Sequence, residues 1–227
     1  MKFKYLLIVF SLVFLISCAF IDRIEEDELF TGNRPDFYLK DNYYKSISIE
    51  VISVQGQTPF TSSLDFLVER MNQYCHKPAG ITYSFTTVPM SAVGDLSKKS
   101  WDQSDLSKFR NKWKKTNTSG SNLVMYILSV PGGYHEDFDS VGGVSCDAYS
   151  FAIFNQVRGS QANIMLHEAG HVVFGLVGNG TPTTSKHKVN DGHCNNNQCI
   201  MYTPQINNFR PDFDEACKKD LRANGSK

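Results

Sequence analysis

His167-Glu168-Ala169-Gly170-His171, continuing Val172-Val173-Phe174-Gly175-Leu176, is the stretch on which the rest of the chain is read. Its two histidines lie four residues apart, about one helical turn, so on a helix they share a face. Two imidazoles at that spacing can grip one zinc ion. Glu168 then projects beside them, where a carboxylate can take a proton from zinc-bound water. Met165, Ala169, Val172 and Leu176 recur at three- and four-residue spacing and predict a buried stripe on a helix over about 161–176. Ser160 suits the N-cap, and Gly175 or Gly178 suits the stop. The bare pattern also fits a helix whose histidines bond core carbonyls or water, so the residues that follow decide between the two.

Zinc in a catalytic site takes three protein ligands and keeps one position open. Downstream stands His193-Cys194-Asn195-Asn196-Asn197-Gln198-Cys199-Ile200-Met201-Tyr202. With this string the chain resembles the metzincin metallopeptidases. Within that clan it looks most like the archaemetzincins, whose pattern runs H-E-x-x-H-x-x-G-L-x-H-C-x4-C-x-M and continues to a C-x-x-C pair. Gly175-Leu176 matches the G-L, Cys194 and Cys199 match the C-x4-C, and Met201 matches the methionine turn. The resemblance is specific over residues 160–220 and departs from the pattern in three places. Phe174 occupies the usual glycine position, so the glycine comes one residue late. Sixteen residues, Val177 to Gly192, stand where the family has one; their glycines, proline and polar residues read as a loop, and closing a longer loop costs little. The last cysteine of the final pair is replaced by Asp220.

The resemblance implies His167, His171 and His193 as ligands of a catalytic Zn2+, Glu168 as general base, and Met201 as a floor under the metal. His187, inside the inserted loop, is the alternative third ligand. Glu215 is another, and would make the chain more like the gluzincins. The implied fold is α+β: a twisted mixed sheet with a backing helix and the active-site helix over about 45–176, then a small lower subdomain over 177–227 carrying the methionine turn and a terminal helix. The edge strand before the active-site helix, near Gly142 to Asp147, would pair with an extended peptide substrate. Plain hairpin glycines fit the same stretch. Tyr202 is a weaker candidate for a hydrogen bond near the metal.

The pattern before the motif suits this fold. Ile47, Ile49, Val51 and Ser53 alternate with Ser46, Ser48, Glu50 and Ile52, which predicts a strand. Leu64, Leu67, Val68, Met71 and Tyr74 share a face of a helix over 61–76. Gly80 to Val88 reads as a second strand, rich in Thr, Tyr, Phe and Val. Residues 104–115 read as a polar helix or an irregular segment, Leu123 to Val130 as a buried strand, and Val141 to Cys146 and Tyr149 to Phe154 as two short strands. A last helix is expected over about 212–223.

Lys2, Lys4, the apolar run Leu6 to Ile16 and Leu15-Ile16-Ser17-Cys18 resemble a bacterial lipoprotein signal, cleaved before a lipid-modified Cys18. The run is shorter than a membrane span and has the flanks of a signal. An ordinary secretory signal or a short anchor fits the same composition. Residues 1–18 are therefore set apart, and 19–44, with Glu25-Glu26-Asp27-Glu28, read as a solvated tether to the domain 45–227. This implies a protein anchored outside the cytoplasm, in the periplasm or at the cell surface, where disulfides persist. No prodomain is evident, although Asp22, Asp27 or Asp36 has the chemistry to reach a metal.

Lys plus Arg and Asp plus Glu each number 23, and no basic stripe is present, which argues against nucleic-acid binding. A monomer is expected. Of six cysteines, five remain after Cys18. They fit disulfides, such as Cys194 with Cys199 and Cys75 with Cys146, or Cys199 with Cys217. They also fit, through the archaemetzincin resemblance, a second, structural zinc on Cys194, Cys199 and Cys217 with Asp220 as its fourth ligand. The compartment and the missing cysteine favour disulfides and one catalytic zinc. The functional expectation is a zinc metalloendopeptidase cutting peptides or proteins. The alternative is a binding or adhesion lipoprotein that keeps the fold without turnover.

Overall fold

The computed structural model describes residues 34–93, 100–134, 141–154, 160–177, 187, 193–202 and 210–227. The leader, Cys18, Asp22, Asp27 and most of the inserted loop lie outside them. Thirteen residues decide the architecture, because two neighbouring strands are apolar on both faces. Strand β1 (Ser46–Val54) buries Ile47, Ile49 and Val51 on one side and Ile52 and Val54 on the other. The next strand of the same kind is β4 (Asn122–Val130), with Leu123 to Val130 buried throughout. Strands buried on both faces belong in the middle of a sheet covered by helices.

That sheet is five-stranded, in the order β2-β1-β4-β7-β6, where β2 is Ile81–Val88, β6 is Gly143–Asp147 and β7 is Ser150–Phe154. β1 pairs in parallel with β2 and β4, and β4 in parallel with β7. Only the last pairing, β6 with β7, is antiparallel. The sheet is therefore mixed, mostly parallel, with β6 as an outer strand among those described. A small parallel pair, β3 (Ser100–Trp101) with β5 (Gly133–Tyr134), lies beside it.

Helices follow the strands as parallel crossovers require. A short helix, α1 (Pro35–Leu39), precedes β1. α2 (Thr61–Tyr74) joins β1 to β2 and buries Leu64, Leu67, Met71 and Tyr74, the expected face without Val68. α3 (Gln103–Trp113) begins at Asp102, whose side chain accepts from the Asp105 amide at 2.7 Å. Its Leu106 and Phe109 pack with Trp101, Val124, Leu128 and Phe154 against one sheet face. α4 (Gln161–Val172) begins at the Ser160 cap and is shorter than the expected 161–176. The chain leaves it through Gly175, at φ +63, a conformation that favours glycine. α5 (Glu215–Asn224) begins three residues later than expected, because Asp214 serves as its cap and accepts from the Cys217 amide at 2.8 Å. No helix among the described residues is long and apolar enough to cross a membrane.

The expected tether over 19–44 is overturned at its end. Phe37, Tyr38 and Leu39 are buried, and the Tyr38 hydroxyl donates to the Ala148 carbonyl at 2.9 Å. Lys77, itself buried, donates to the carbonyls of Phe37 at 2.7 Å and Tyr44 at 2.8 Å, and also to that of Lys40. Residues 34–44 therefore belong to the domain. The sequence signal was present in Phe37-Tyr38-Leu39, an apolar triplet that a solvated tether has no reason to carry.

Candidate metal centre

α4 carries His167, Glu168 and His171, and the strip 193–202 returns beneath it. His193 joins the two helical histidines: ring centroids are 5.0 Å apart for His167 and His171, 5.1 Å for His167 and His193, and 5.5 Å for His171 and His193. One ring nitrogen from each lies within 4.8 Å of the others. Two of the rings are oriented by main-chain carbonyls. His167 Nδ1 donates to Ile200 O at 2.8 Å, and His171 Nδ1 donates to Leu176 O at 3.2 Å. A carbonyl only accepts, so the proton sits on Nδ1 and the lone pair on Nε2, the arrangement that metal-binding histidines adopt.

Burial keeps the His167 and His171 rings neutral. Desolvation, then the neighbouring His171, pushes the pKa of His167 well below its usual value, and burial with His193 nearby brings His171 down to about 4. Neutral imidazole is the form that binds a metal. Three imidazoles in reach of one point, two of them neutral with their tautomer fixed, fit a zinc ion.

Glu168 is 6% exposed and faces the edge strand. Ser145 of β6 donates to Glu168 Oε2 at 3.0 Å. Burial raises the Glu168 pKa to about 8, against the opposing effect of the Ser145 hydrogen bond. The fit is close at Gly143, where a Cβ would come within 2.8 Å of Glu168 Cγ. Met201 is fully buried, and a Cβ on Gly170 would collide with its sulfur. The glycine between Glu168 and His171 is therefore what lets the methionine approach the helix. The roles of Ser145, Gly143 and Gly170 were not read from the sequence, although a glycine on the buried side of the H-E-x-x-H helix was a usable signal.

The other candidates separate from this centre. Glu215 is exposed at the start of α5, beside Lys218, and is not among the residues grouped with His167 and His171. Asp36 is held by Arg34 at 3.2 Å on α1. The Tyr202 ring is faced by the Arg210 guanidinium at 5.1 Å. His187 sits not with the histidines but in a second cluster, with Cys194, Asp214 and Cys217, whose ligand atoms also lie within 4.8 Å of one another.

Cys75, Cys146, Cys194, Cys199 and Cys217 are all free thiols in this structure, so none of the expected disulfides is formed in it. The Cys199 and Cys217 sulfurs lie 3.6 Å apart, against about 2.05 Å for a bonded pair. The five thiols divide by environment. Burial pushes Cys75 and Cys146 up to about 12, with the Asp147 and Glu168 carboxylates adding to the rise at Cys146. Cys199 is instead held down to about 4, first by Cys194, then by Cys217. The Met201 and Asp214 amides also point at its sulfur, at 3.4 and 3.3 Å. Asp220, expected as a fourth ligand, instead accepts from His187 Nε2 at 2.7 Å.

Neither a protein-family model nor a curated protein matches the sequence. Among solved structures, the fold is similar to the crystal structure of archaemetzincin from Methanopyrus kandleri, with a TM-score of 0.52 and 16% sequence identity, covering 79% of this chain and 96% of that one. At that identity the likeness bears on the fold, a mixed α/β arrangement with a mostly parallel sheet.

Proposed function

We propose that this chain is a zinc-dependent endopeptidase. The observation that carries the reading is the convergence of His167, His171 and His193 with Glu168 beside the outer strand β6. His167, His171 and His193 would hold the zinc, which would supply a water of lowered pKa, near 7, and polarise a carbonyl. The protein's own groups do the rest. Glu168 accepts a proton from the attacking water and returns it to the leaving amine. Ser145 holds the carboxylate in position for both transfers. Ile200 O and Leu176 O keep the imidazoles from turning. β6 offers main-chain groups to an extended peptide, and its neighbourhood selects side chains. The leader pattern supports export and a lipid anchor at Cys18, and the neutral charge balance supports a peptide rather than a nucleic-acid partner. A monomer suffices, since every group named lies on one chain.

The test is Glu168→Ala in the full chain, assayed for zinc content and for hydrolysis of a mixed peptide library. The reading expects zinc retained and hydrolysis lost. Peptide binding without hydrolysis in both the wild type and the variant would replace it with the binding lipoprotein.

A further inference from the structure

Strand β6 touches Glu168 with one face and the core beneath α3 with the other. Gly143 and Ser145 face α4. A Cβ on Gly143 would meet Glu168 Cγ and Ile164 Cγ2 at 2.8 Å, and the Ser145 hydroxyl reaches Glu168 Oε2. Val144 and Cys146 face the other way, packed with Trp101, Leu106 and Phe109. Alternation would send the next residue, Asp147, back to the α4 face. It does not go there. One carboxylate oxygen pairs with Arg110 of α3, and the other accepts from the Ser150 hydroxyl at 2.9 Å. The cause is a bulge. Ser145 pairs with Phe151 but Asp147 with Ser150, so β6 carries one residue more than β7 across this step.

α3 holds this irregular step from two positions. Gln103 Nε2 donates to the Cys146 carbonyl. Arg110 is 8% exposed, and its Nη1 donates to Asp147 Oδ2 and, at 3.0 Å, to the Ser150 hydroxyl. The guanidinium also faces the Tyr126 ring at 5.6 Å. Asp147 Oδ1 accepts from the Tyr149 amide at 2.8 Å, which fixes the turn into β7. A strand that slipped by one residue would leave the buried guanidinium without its carboxylate, and an unpaired buried charge is costly.

The register matters on the opposite face. Phe154 N donates to Gly142 O at 2.9 Å, in the register that sets Gly143 opposite Ile153 and Val144 opposite Ala152. Bonded and open pairs alternate along an antiparallel ladder. Val144 therefore bonds to β7, while Gly143 and Ser145 turn their main-chain N–H and C=O to the outer edge. The two residues that face Glu168 are thus also the two that offer the edge to a peptide. A shift of one residue would put Val144 or Cys146 against Glu168 and turn both features away. Bulges beside active sites serve to re-aim a side chain. From these contacts we infer that Arg110 and Asp147 are positioning residues: the pair pins the bulge in β6 and so keeps Ser145 on Glu168. Its effect on hydrolysis rests on the peptidase reading, and its effect on register does not.

The full zinc-loaded chain is compared as wild type, Arg110→Met, Arg110→Lys and Ile81→Ala, the last on β2 at the opposite end of the strand order. Two quantities are read: kcat and KM for a peptide that the wild type cleaves, and hydrogen exchange of the Val144 amide. Arg110→Met should lower kcat by up to roughly 100-fold, the scale of a misplaced reacting group. It should also speed Val144 exchange beyond what Ile81→Ala does. Arg110→Lys, whose ammonium still reaches Asp147, should recover most of both. Ile81→Ala should lower the melting temperature and leave kcat unchanged. The double variant Arg110→Met/Ser145→Ala should be no slower than Arg110→Met, because both act through one contact. Asp147→Asn, which keeps the Tyr149 hydrogen bond, gives the same readouts where Arg110→Met does not fold. Effects that multiply in the double variant would overturn the inference. So would a raised KM with kcat unchanged, or Val144 exchange no faster than in Ile81→Ala. If the wild type cleaves no peptide, the peptidase reading fails, and Val144 exchange still decides whether the pair holds the register.

Discussion

The two clusters share a strip of ten residues, 193–202, yet they are prepared for a cation in opposite ways. The three histidines are assembled from α4 and the returning strip. Carbonyls fix two of their tautomers, and burial keeps His167 and His171 neutral. A metal entering there displaces few protons. The thiol cluster instead lowers Cys199 while raising Cys217, because sulfurs in contact share protons. Any metal bound there would have to expel those protons. The difference teaches that one short segment can present neutral imidazoles on one side and proton-sharing thiols on the other.

The comparison breaks most visibly at its seam. His193→Ala is expected to abolish tight zinc binding at the histidine centre, an effect larger than the roughly 10–100-fold cost of losing an outer partner. It should leave the thiols of Cys194, Cys199 and Cys217 as they are, which a free-thiol titration will read. A thiol titration changed by the substitution would show that the two clusters act as one unit.

Glu168→Gln sharpens the functional half. It should lower kcat by roughly 10²–10⁴-fold, the usual contribution of a general base, with zinc content unchanged. A smaller drop would assign the proton transfer to another group.

Gly170→Ala tests the floor. Its added methyl meets the Met201 sulfur, and overpacking of this kind costs about 1–3 kcal/mol. A lower melting temperature and weaker zinc retention are expected; Gly170→Ala/Met201→Ala should recover part of the loss. No recovery would mean that the glycine is needed for something other than the methionine.

Ser145→Ala removes a hydrogen bond to a carboxylate, an interaction contributing roughly 1.5–3 kcal/mol. Because that bond opposes the upward shift caused by burial, its loss moves the Glu168 pKa further up. The acid limb of the kcat/KM profile should therefore shift to higher pH, with an activity loss on the order of tenfold at neutral pH.

The smallest effect concerns pH and the metal-free protein. His167 and His171 titrate lower in the folded state than in the unfolded chain, so the unfolded chain binds more protons as pH falls. Their contribution to stability is complete above about pH 6.5 and is lost progressively toward pH 4. Thermal melts across that window should decline for the metal-free wild type and flatten for His171→Asn.

Much of this was legible in the sequence because the signals were local. The i, i+4 histidines, the alternation in 46–53 and the unbroken apolar run of β4 each follow from one element's own period. What was missed depends on contacts between distant elements. Glu50 read as the polar side of a strand, yet it is 2% exposed and accepts from the Lys115 and Thr116 amides at 2.9 and 3.0 Å. Nothing near Glu50 announces those partners. The same holds for Ser145 beneath Glu168. His187 was read as a rival for the first metal, since spacing cannot say which way a loop folds. Disulfides were favoured from compartment and cysteine count, and neither of these reports how far apart sulfurs lie.

The most direct measurement is an anomalous difference map at the zinc edge from a crystal of the full chain. The account predicts a peak at about 2.0–2.1 Å from Nε2 of His167, His171 and His193. No peak there, or a peak whose third protein ligand is not His193, would contradict it.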